Sequence, residues 1–178
     1  MQFSSYSTNN IEEIKQLFTQ AFSDSEGRSE GVLVGNLAYD LMTSTDVQNL
    51  YGFVATENEK IIGSIFFTRL TFEIEVNAFL LSPVAIHTAY QGKGIGQTLI
   101  NFGIHQLKEH GAKLIFTYGD CKFYSKVGFS LISETLAKAP FTLTYPEGWL
   151  AQSLLSDEIQ AIPGNSHCVK ALNKAEYW

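Results

Sequence analysis

Apolar residues at Ile11, Ile14, Leu17, Phe18, Ala21 and Phe22 recur at three- and four-residue spacing and predict a helix with one buried face. Asn10 stands where a cap is expected, and Glu13 three positions later supplies the reciprocal half of a capping box. A polar stretch, SDSEGRSEG, separates this helix from a second helical pattern at Leu33, Leu37, Ala38 and Leu41. Tyr51 to Thr56 predicts a strand, Glu57-Asn58-Glu59 a tight turn, and Lys60 to Arg69 the returning strand of a hairpin. Leu70 to Val76 fits either an extension of that strand or a loop. Ala78 to His87 is nearly continuous in apolar residues, the pattern of a strand covered on both faces. A helical pattern follows from Gln97 to His110, closed by Gly111, and then a strand from Lys113 to Tyr118. Asp120 to Val127 predicts a short helical segment stopped by Gly128. Short strands and turns, at Tyr145-Pro146-Glu147-Gly148 and Pro163-Gly164, fill the remainder. This order predicts a mixed α/β sheet with helices on both faces.

Composition narrows the class. The 178 residues fit one domain, and 45% hydrophobic against 17% charged residues allows a real core. Twelve Lys and Arg against eighteen Asp and Glu give a net charge of -6, which argues against a nucleic-acid partner and mildly favours cationic small molecules. Cys121 and Cys168 are too few for a disulfide scaffold or a cysteine zinc site. His105, His110 and His167 have no second ligand at metal spacing, so no metal is expected. The start MQFSSYSTNN lacks a secretory pattern, and the apolar run from Ala78 to Ile86 is far short of a membrane span. A cytoplasmic protein with no membrane partner is the expectation.

The segment AYQGKGIGQTLI, from Ala89 to Ile100, carries the most chemistry. Unpaired N–H groups at a helix start and the positive end of its dipole make an anion site. Glycine allows close approach and positive φ there, and Lys93 and Gln91 can add a charge and a hydrogen bond. No G-x-x-x-x-G-K-[ST] string occurs, and a dinucleotide fingerprint would need a small residue where Gln97 or Leu99 stands. A glycine-rich strand-to-helix connection with no ligand is the alternative reading of these residues.

Gln91-Gly92-Lys93-Gly94-Ile95-Gly96, after Pro83-Val84-Ala85-Ile86, resembles the acetyl-CoA loop of the GNAT N-acetyltransferases. Tyr124-Ser125-Lys126-Val127-Gly128-Phe129 resembles the later helix of that family ending in Gly-Phe, with its tyrosine four residues before the glycine. With Gly119-Asp120 ahead of that helix, the pattern is most similar to a bacterial branch of predicted acetyltransferases. The resemblance implies a mixed, mainly antiparallel central sheet flanked by helices on both faces, the acyl-CoA N-acyltransferase fold. It implies that the backbone of Val84 and Ile86, with Ala85 turned the other way, contacts the pantetheine arm of acetyl-CoA. Its pyrophosphate would rest on the amides from Gly92 to Gly96, with the thioester in a wedge between this strand and Lys113 to Tyr118.

Tyr124 would then stand beside the sulfur as the acid for the departing thiolate. A phenol near 10 facing a thiol near 8.5 transfers its proton uphill by about 1.5 units, about 2 kcal/mol, so hydrogen bonding fits better than complete transfer. Asp120 reads first as the cap of the tyrosine helix. Glu26, Glu30, Glu73, Glu75 and His87 are the candidates for deprotonating the acceptor amine, beside a chain of waters. Cys121 reads as a small buried residue rather than an acyl carrier, because the resemblance implies direct transfer in a ternary complex. The expected reaction is acetyl transfer from acetyl-CoA to a primary amine of a small molecule or protein. A CoA-binding sensor without turnover on the same fold is the alternative. Similar proteins commonly pair as homodimers through their last strands.

Overall fold

A computed structural model describes residues 1–155 and 158–178. Contacts divide it into two compact units, Met1–Phe66 with Pro83–Ile104, and Phe67–Ser82 with His105–Trp178.

In the first unit, strand β1 (Gln2–Ser5) precedes helices α1 (Ile11–Glu26) and α2 (Arg28–Ser44). The buried face of α1 is Ile14, Leu17, Phe18 and Ala21, as its spacing predicts. Asn10 makes no side-chain cap bond to α1. Ser7 instead caps a 3-10 turn over Thr8–Asn10 in a reciprocal box with Asn10. The Glu13 carboxylate accepts the Ile61 N–H at 2.9 Å, which corrects its expected capping role. The second helix is longer than its apolar pattern, because Gly31 and Gly35 continue it where they approach α1 closely. A Cβ on Gly35 would lie 3.1 Å from Thr19 Cβ and 3.2 Å from the Lys15 carbonyl.

Strand β2 (Leu50–Glu57) and β3 (Lys60–Phe72) form the predicted hairpin. Asn58 and Glu59 turn it with φ of 49° and 64°, the two left-handed residues of a type I′ turn. Gln2 to Ser5 pair antiparallel with Thr56 to Phe53 of β2, and β3 and β4 (Ala78–Ile86) follow in hydrogen-bonded order. Phe18 stacks on Phe66 at 5.8 Å, and Phe53 meets Phe102 edge-on at 5.6 Å, in a core shared by α1, the hairpin and α3 (Ile95–Glu109).

In the second unit, Ala78 to Leu81 of β4 pair in parallel with Leu114 to Thr117 of β5 (Leu114–Tyr118). That register ends at Leu81 with Thr117, and Pro83, which has no N–H for a ladder, comes two residues later. Helix α4 (Cys121–Tyr124) and strands β6 (Ser130–Leu131), β7 (Trp149–Ser153) and β8 (Ser166–His167) complete the unit. β5 pairs antiparallel with β7, β7 with β6, and the end of β3 with β8. Phe116 stacks on Trp149 at 5.3 Å, and Trp149 meets Trp178 at 6.2 Å. The fold is mixed α/β around a mostly antiparallel sheet, in agreement with the expected class. Among the described residues, no helix is long and apolar enough to cross a membrane.

Candidate functional site

In the first unit, β4 ends at Ile86 and His87 caps a 3-10 turn over Thr88–Tyr90. The Ala89 N–H donates to His87 Nδ1 at 3.2 Å. Gly92 and Gly94 then take φ of 73° and 78°, a conformation that L residues with a Cβ rarely adopt. A Cβ at either position would have no heavy-atom neighbour within 4 Å. The glycines therefore clear space on the outer side of the loop and are not making room for the protein's own packing.

Thr98 is the first residue of α3 whose amide is taken up, donating to the Gly94 carbonyl at 3.0 Å. Among the described residues, no protein acceptor receives the N–H groups of Gly92 through Gln97. They form a run of donors at the positive end of a fifteen-residue helix. Gln91 turns its amide inward, Nε2 donating to the Ile86 carbonyl at 2.9 Å. The Lys93 ammonium donates to the Ala89 carbonyl at 3.0 Å and lies 5.3 Å from the Tyr90 ring centre. Both side chains brace the loop, and the donors it presents are main-chain. Ile95 is buried, while Gly92, Lys93 and Gly94 are exposed. Along β4, Val84 and Ile86 are half-buried and Ala85 between them is buried, the alternation expected of their opposite directions.

In the second unit, Asp120 caps α4, its Oδ1 accepting the Lys122 N–H at 2.9 Å. Tyr124 closes that helix, and the Phe129 N–H returns to its carbonyl at 3.2 Å. Gly128 makes the turn between them at φ 92°. The tyrosine ring is held edge-on by Phe123 at 5.0 Å and Phe129 at 5.7 Å. It also lies against Gly119, where a Cβ would approach Tyr124 Cε2 to 2.8 Å. Burial pushes the Tyr124 phenol above its ordinary value, a hydrogen bond with Thr117 opposes the rise, and the Asp120 charge adds to it. Thr117 is fully buried, and its hydroxyl donates to the Leu81 carbonyl at 2.9 Å.

The remaining candidates scatter. His87 lies at a cavity of about 630 Å³ whose lining includes Glu12, Glu13, Leu17, Gln20 and Ile61, all of the first unit. Glu26 is the exposed last residue of α1, and Glu30 lies in the first turn of α2. Glu73 accepts the Asn165 N–H at 3.1 Å and so has a structural partner, and Glu75 is exposed. Cys121 opens α4 half-buried, and burial raises the Cys168 thiol to about 11. His105 on α3 and His110 in the turn just after it are both exposed, as expected. Thr117, which shapes the surroundings of the phenol, carries no sequence signal, and Gly119 enters the sequence pattern only as the residue ahead of Asp120, with no sign of its contact with the tyrosine ring.

Comparison with known proteins agrees with this arrangement. The Acetyltransferase (GNAT) domain family matches residues 48–131, which contain the hairpin, β4, the glycine loop, α3, β5 and α4. The chain is 29% identical over 162 residues to the uncharacterized N-acetyltransferase YjhQ of Escherichia coli K12, covering 88% of this chain and 85% of that one. The fold of the E. coli GNAT family N-acetyltransferase YhbS, solved in complex with CoA, superposes with a TM-score of 0.84 at 22% identity, covering 97% and 92% of the two chains. A GNAT family acetyltransferase from Brucella melitensis, in complex with acetyl-CoA, gives a TM-score of 0.75 at 23% identity over 96% and 97%. The chain has the fold of these GNAT family acetyltransferases, and residues 48–131, just under half of its length, match the Acetyltransferase (GNAT) domain.

Proposed function

We propose that the protein transfers an acetyl group from acetyl-CoA to a primary amine by direct attack of the amine. The observation that carries this reading is the run of main-chain donors from Gly92 to Gln97, ahead of the first satisfied amide of α3. Consecutive N–H groups at a helix start suit a diphosphate, whose charge is spread over several acceptor oxygens. The space that a Cβ at Gly92 or Gly94 would occupy is open, so the loop fits that anion. Gln91, Gly92, Lys93, Gly94, Ile95 and Gly96 form this cradle, and the backbone of Val84, Ala85 and Ile86 serves the pantetheine arm.

Acetyl-CoA supplies the acetyl thioester. A backbone N–H near Val84 polarises its carbonyl as an oxyanion donor would. The Tyr124 hydroxyl donates a hydrogen bond to the departing sulfur. Because burial raises this phenol, its proton is held more firmly than an ordinary tyrosine's. Complete transfer to a thiolate near 8.5 then exceeds the roughly 2 kcal/mol set by the ordinary values. Tyr124 stabilises the thiolate while keeping its proton. The acceptor must lose a proton before attack, since an alkylammonium near 10.4 has no lone pair. A net charge of -6 favours a cationic acceptor such as a polyamine, an aminoglycoside or a lysine-bearing chain, met in the cytoplasm.

Calorimetry with CoA, followed by a free-thiol assay across a panel of these amines, tests the proposal. Binding with amine-dependent thiol release is the expected result. Binding with no release above background hydrolysis for any amine supports the sensor reading. A protein that binds no CoA refutes both.

A further inference from the structure

The connection from β4 to the glycine loop is held mostly by its own residues. Tyr90 N–H returns to the His87 carbonyl at 2.7 Å, Gln91 Nε2 reaches back to Ile86, and Lys93 to Ala89. Two bonds leave the segment. One is main-chain, from His87 N–H to the Ile62 carbonyl at 2.8 Å in β3. The other joins side chains 64 residues apart, with Thr88 Oγ1 donating to Asp24 Oδ2 of α1 at 2.6 Å. The other oxygen of the same carboxylate, Oδ1, accepts from Gln20 Nε2 one helical turn earlier, also at 2.6 Å.

These are short, charge-assisted contacts, the strong class of hydrogen bond. Gln20 and Asp24 share a helix face at i, i+4, so the carboxylate is already aimed when Thr88 meets it. We infer that Asp24 and Thr88 are positioning residues, with Gln20 orienting Asp24: they tie α1 to the last turn before the glycine loop and hold its amides in the arrangement that receives the CoA pyrophosphate. A loop fixed in its binding conformation does not lose that freedom again when the ligand arrives, and the saving appears as affinity. The inference rests on the proposed assignment of the loop to CoA.

The sign of one substitution makes the idea testable. By charge alone, an aspartate bonded to Thr88, three residues before Gln91, opposes the anion, so D24A would tighten CoA. A tether makes D24A weaken it. Calorimetry on the full chain should give a CoA dissociation constant raised about three- to tenfold in both T88V and D24A, the range for a hydrogen bond in the exposed position these residues occupy. The double variant should lose no more than either single one. T88S, which keeps the hydroxyl, should return to within twofold of the parent. Turnover at saturating acetyl-CoA should stay within twofold throughout, so the effect appears in KM and not kcat. A merely structural contact would lower the melting midpoint yet leave CoA affinity of the folded protein unchanged, and that result overturns the inference. Tighter binding by D24A overturns it as well. If Gly94 variants lose CoA while T88V does not, the loop assignment stands and only the tether fails. If the parent binds no CoA, both fall.

Discussion

Alanine at position 94 separates two roles of that glycine, conformational freedom and the absence of a side chain. Gly94 sits at φ 78°, where an L residue costs about 1–2 kcal/mol. A Cβ there meets no atom within 4 Å, so packing adds nothing to that cost. In a chain of this size each kcal/mol moves the midpoint by about 2–4 °C, so Gly94→Ala should melt roughly 2–8 °C below the parent. Binding should suffer more. The new methyl stands where the loop offers its donors, and displacing one amide–phosphate bond removes about 1.5–3 kcal/mol, or roughly 10- to 150-fold in affinity. Gly94→Asn sharpens the comparison, because asparagine tolerates this backbone region but still carries a Cβ. It should recover much of the midpoint and none of the affinity. Gly94→Glu, with bulk and negative charge together, should abolish binding. Thermal melts and CoA calorimetry on the three variants measure both quantities. A Gly94→Ala protein that melts early but binds CoA within twofold of the parent would refute the idea that this space receives the pyrophosphate.

Tyr124→Phe should keep CoA affinity and lower amine-dependent thiol release about a hundredfold, the low end for losing one preorganised hydrogen-bond donor; unchanged single-turnover rates would reduce Tyr124 to a packing residue. Ultraviolet titration of the folded protein should show two phenols, Tyr6 and Tyr124, ionising above the ordinary tyrosine value, and Tyr124→Phe should remove one of the two late transitions, because burial raises both groups. Gly119→Ala should displace the tyrosine ring, since its Cβ would come to 2.8 Å from Cε2, and so reduce turnover with CoA affinity intact; equal turnover would show that the ring's placement is not needed. Cys168, raised to about 11, should react with iodoacetamide at pH 8 about a hundredfold more slowly in the folded than in the unfolded chain, read by peptide mass spectrometry. The same shift lowers stability as pH climbs from the ordinary thiol value toward 11, because the unfolded chain releases that proton first.

The elements readable from sequence are those whose burial is periodic. α1, β2, β4 and β5 declare themselves because one face, or both, must be apolar. β1 does not, since Phe3, which packs on Phe102 at 6.1 Å, is a single apolar residue among Gln2, Ser4 and Ser5 and makes no periodic pattern. The early part of α2 was hidden because Arg28 to Gly31 belong to the polar stretch SDSEGRSEG, which reads as a separator. Gly31 and Gly35 are small because Thr19 and Ser23 of α1 lie against them, a fact of tertiary packing. Glu13 shows the opposite error: a local capping partner was expected, and the residue serves Ile61, 48 positions away. The glycine loop was legible because its chemistry is contiguous. Asp24 with Thr88 and Gly119 with Tyr124 were not, because no spacing rule links an α1 aspartate to a threonine after β4, and a glycine's close approach shows only in three dimensions.

The same contrast explains how such a loop is built. A segment whose amides from Gly92 to Gln97 find no protein acceptor among the described residues cannot use those amides to hold its own shape. Three of its residues lack side chains, and the left-handed backbone of two of them, Gly92 and Gly94, is accessible to glycine in the unfolded chain along with many alternatives. Order must therefore come from the flanks. On one side Ile95 is buried and α3 begins, with Thr98 closing the first turn on the Gly94 carbonyl through both its amide and, at 3.1 Å, its hydroxyl. On the other side the supports are side chains reaching to carbonyls and a carboxylate: Gln91 to Ile86, Lys93 to Ala89, Thr88 to Asp24. Polar side chains that look like ligand contacts in the sequence thus act as scaffolding, which leaves recognition to the main chain. A main-chain cradle reads a phosphate group by its charge and oxygens and ignores the acceptor altogether. Acceptor choice must then reside in side chains outside the loop, and sequence change there can alter the substrate without disturbing the donor site.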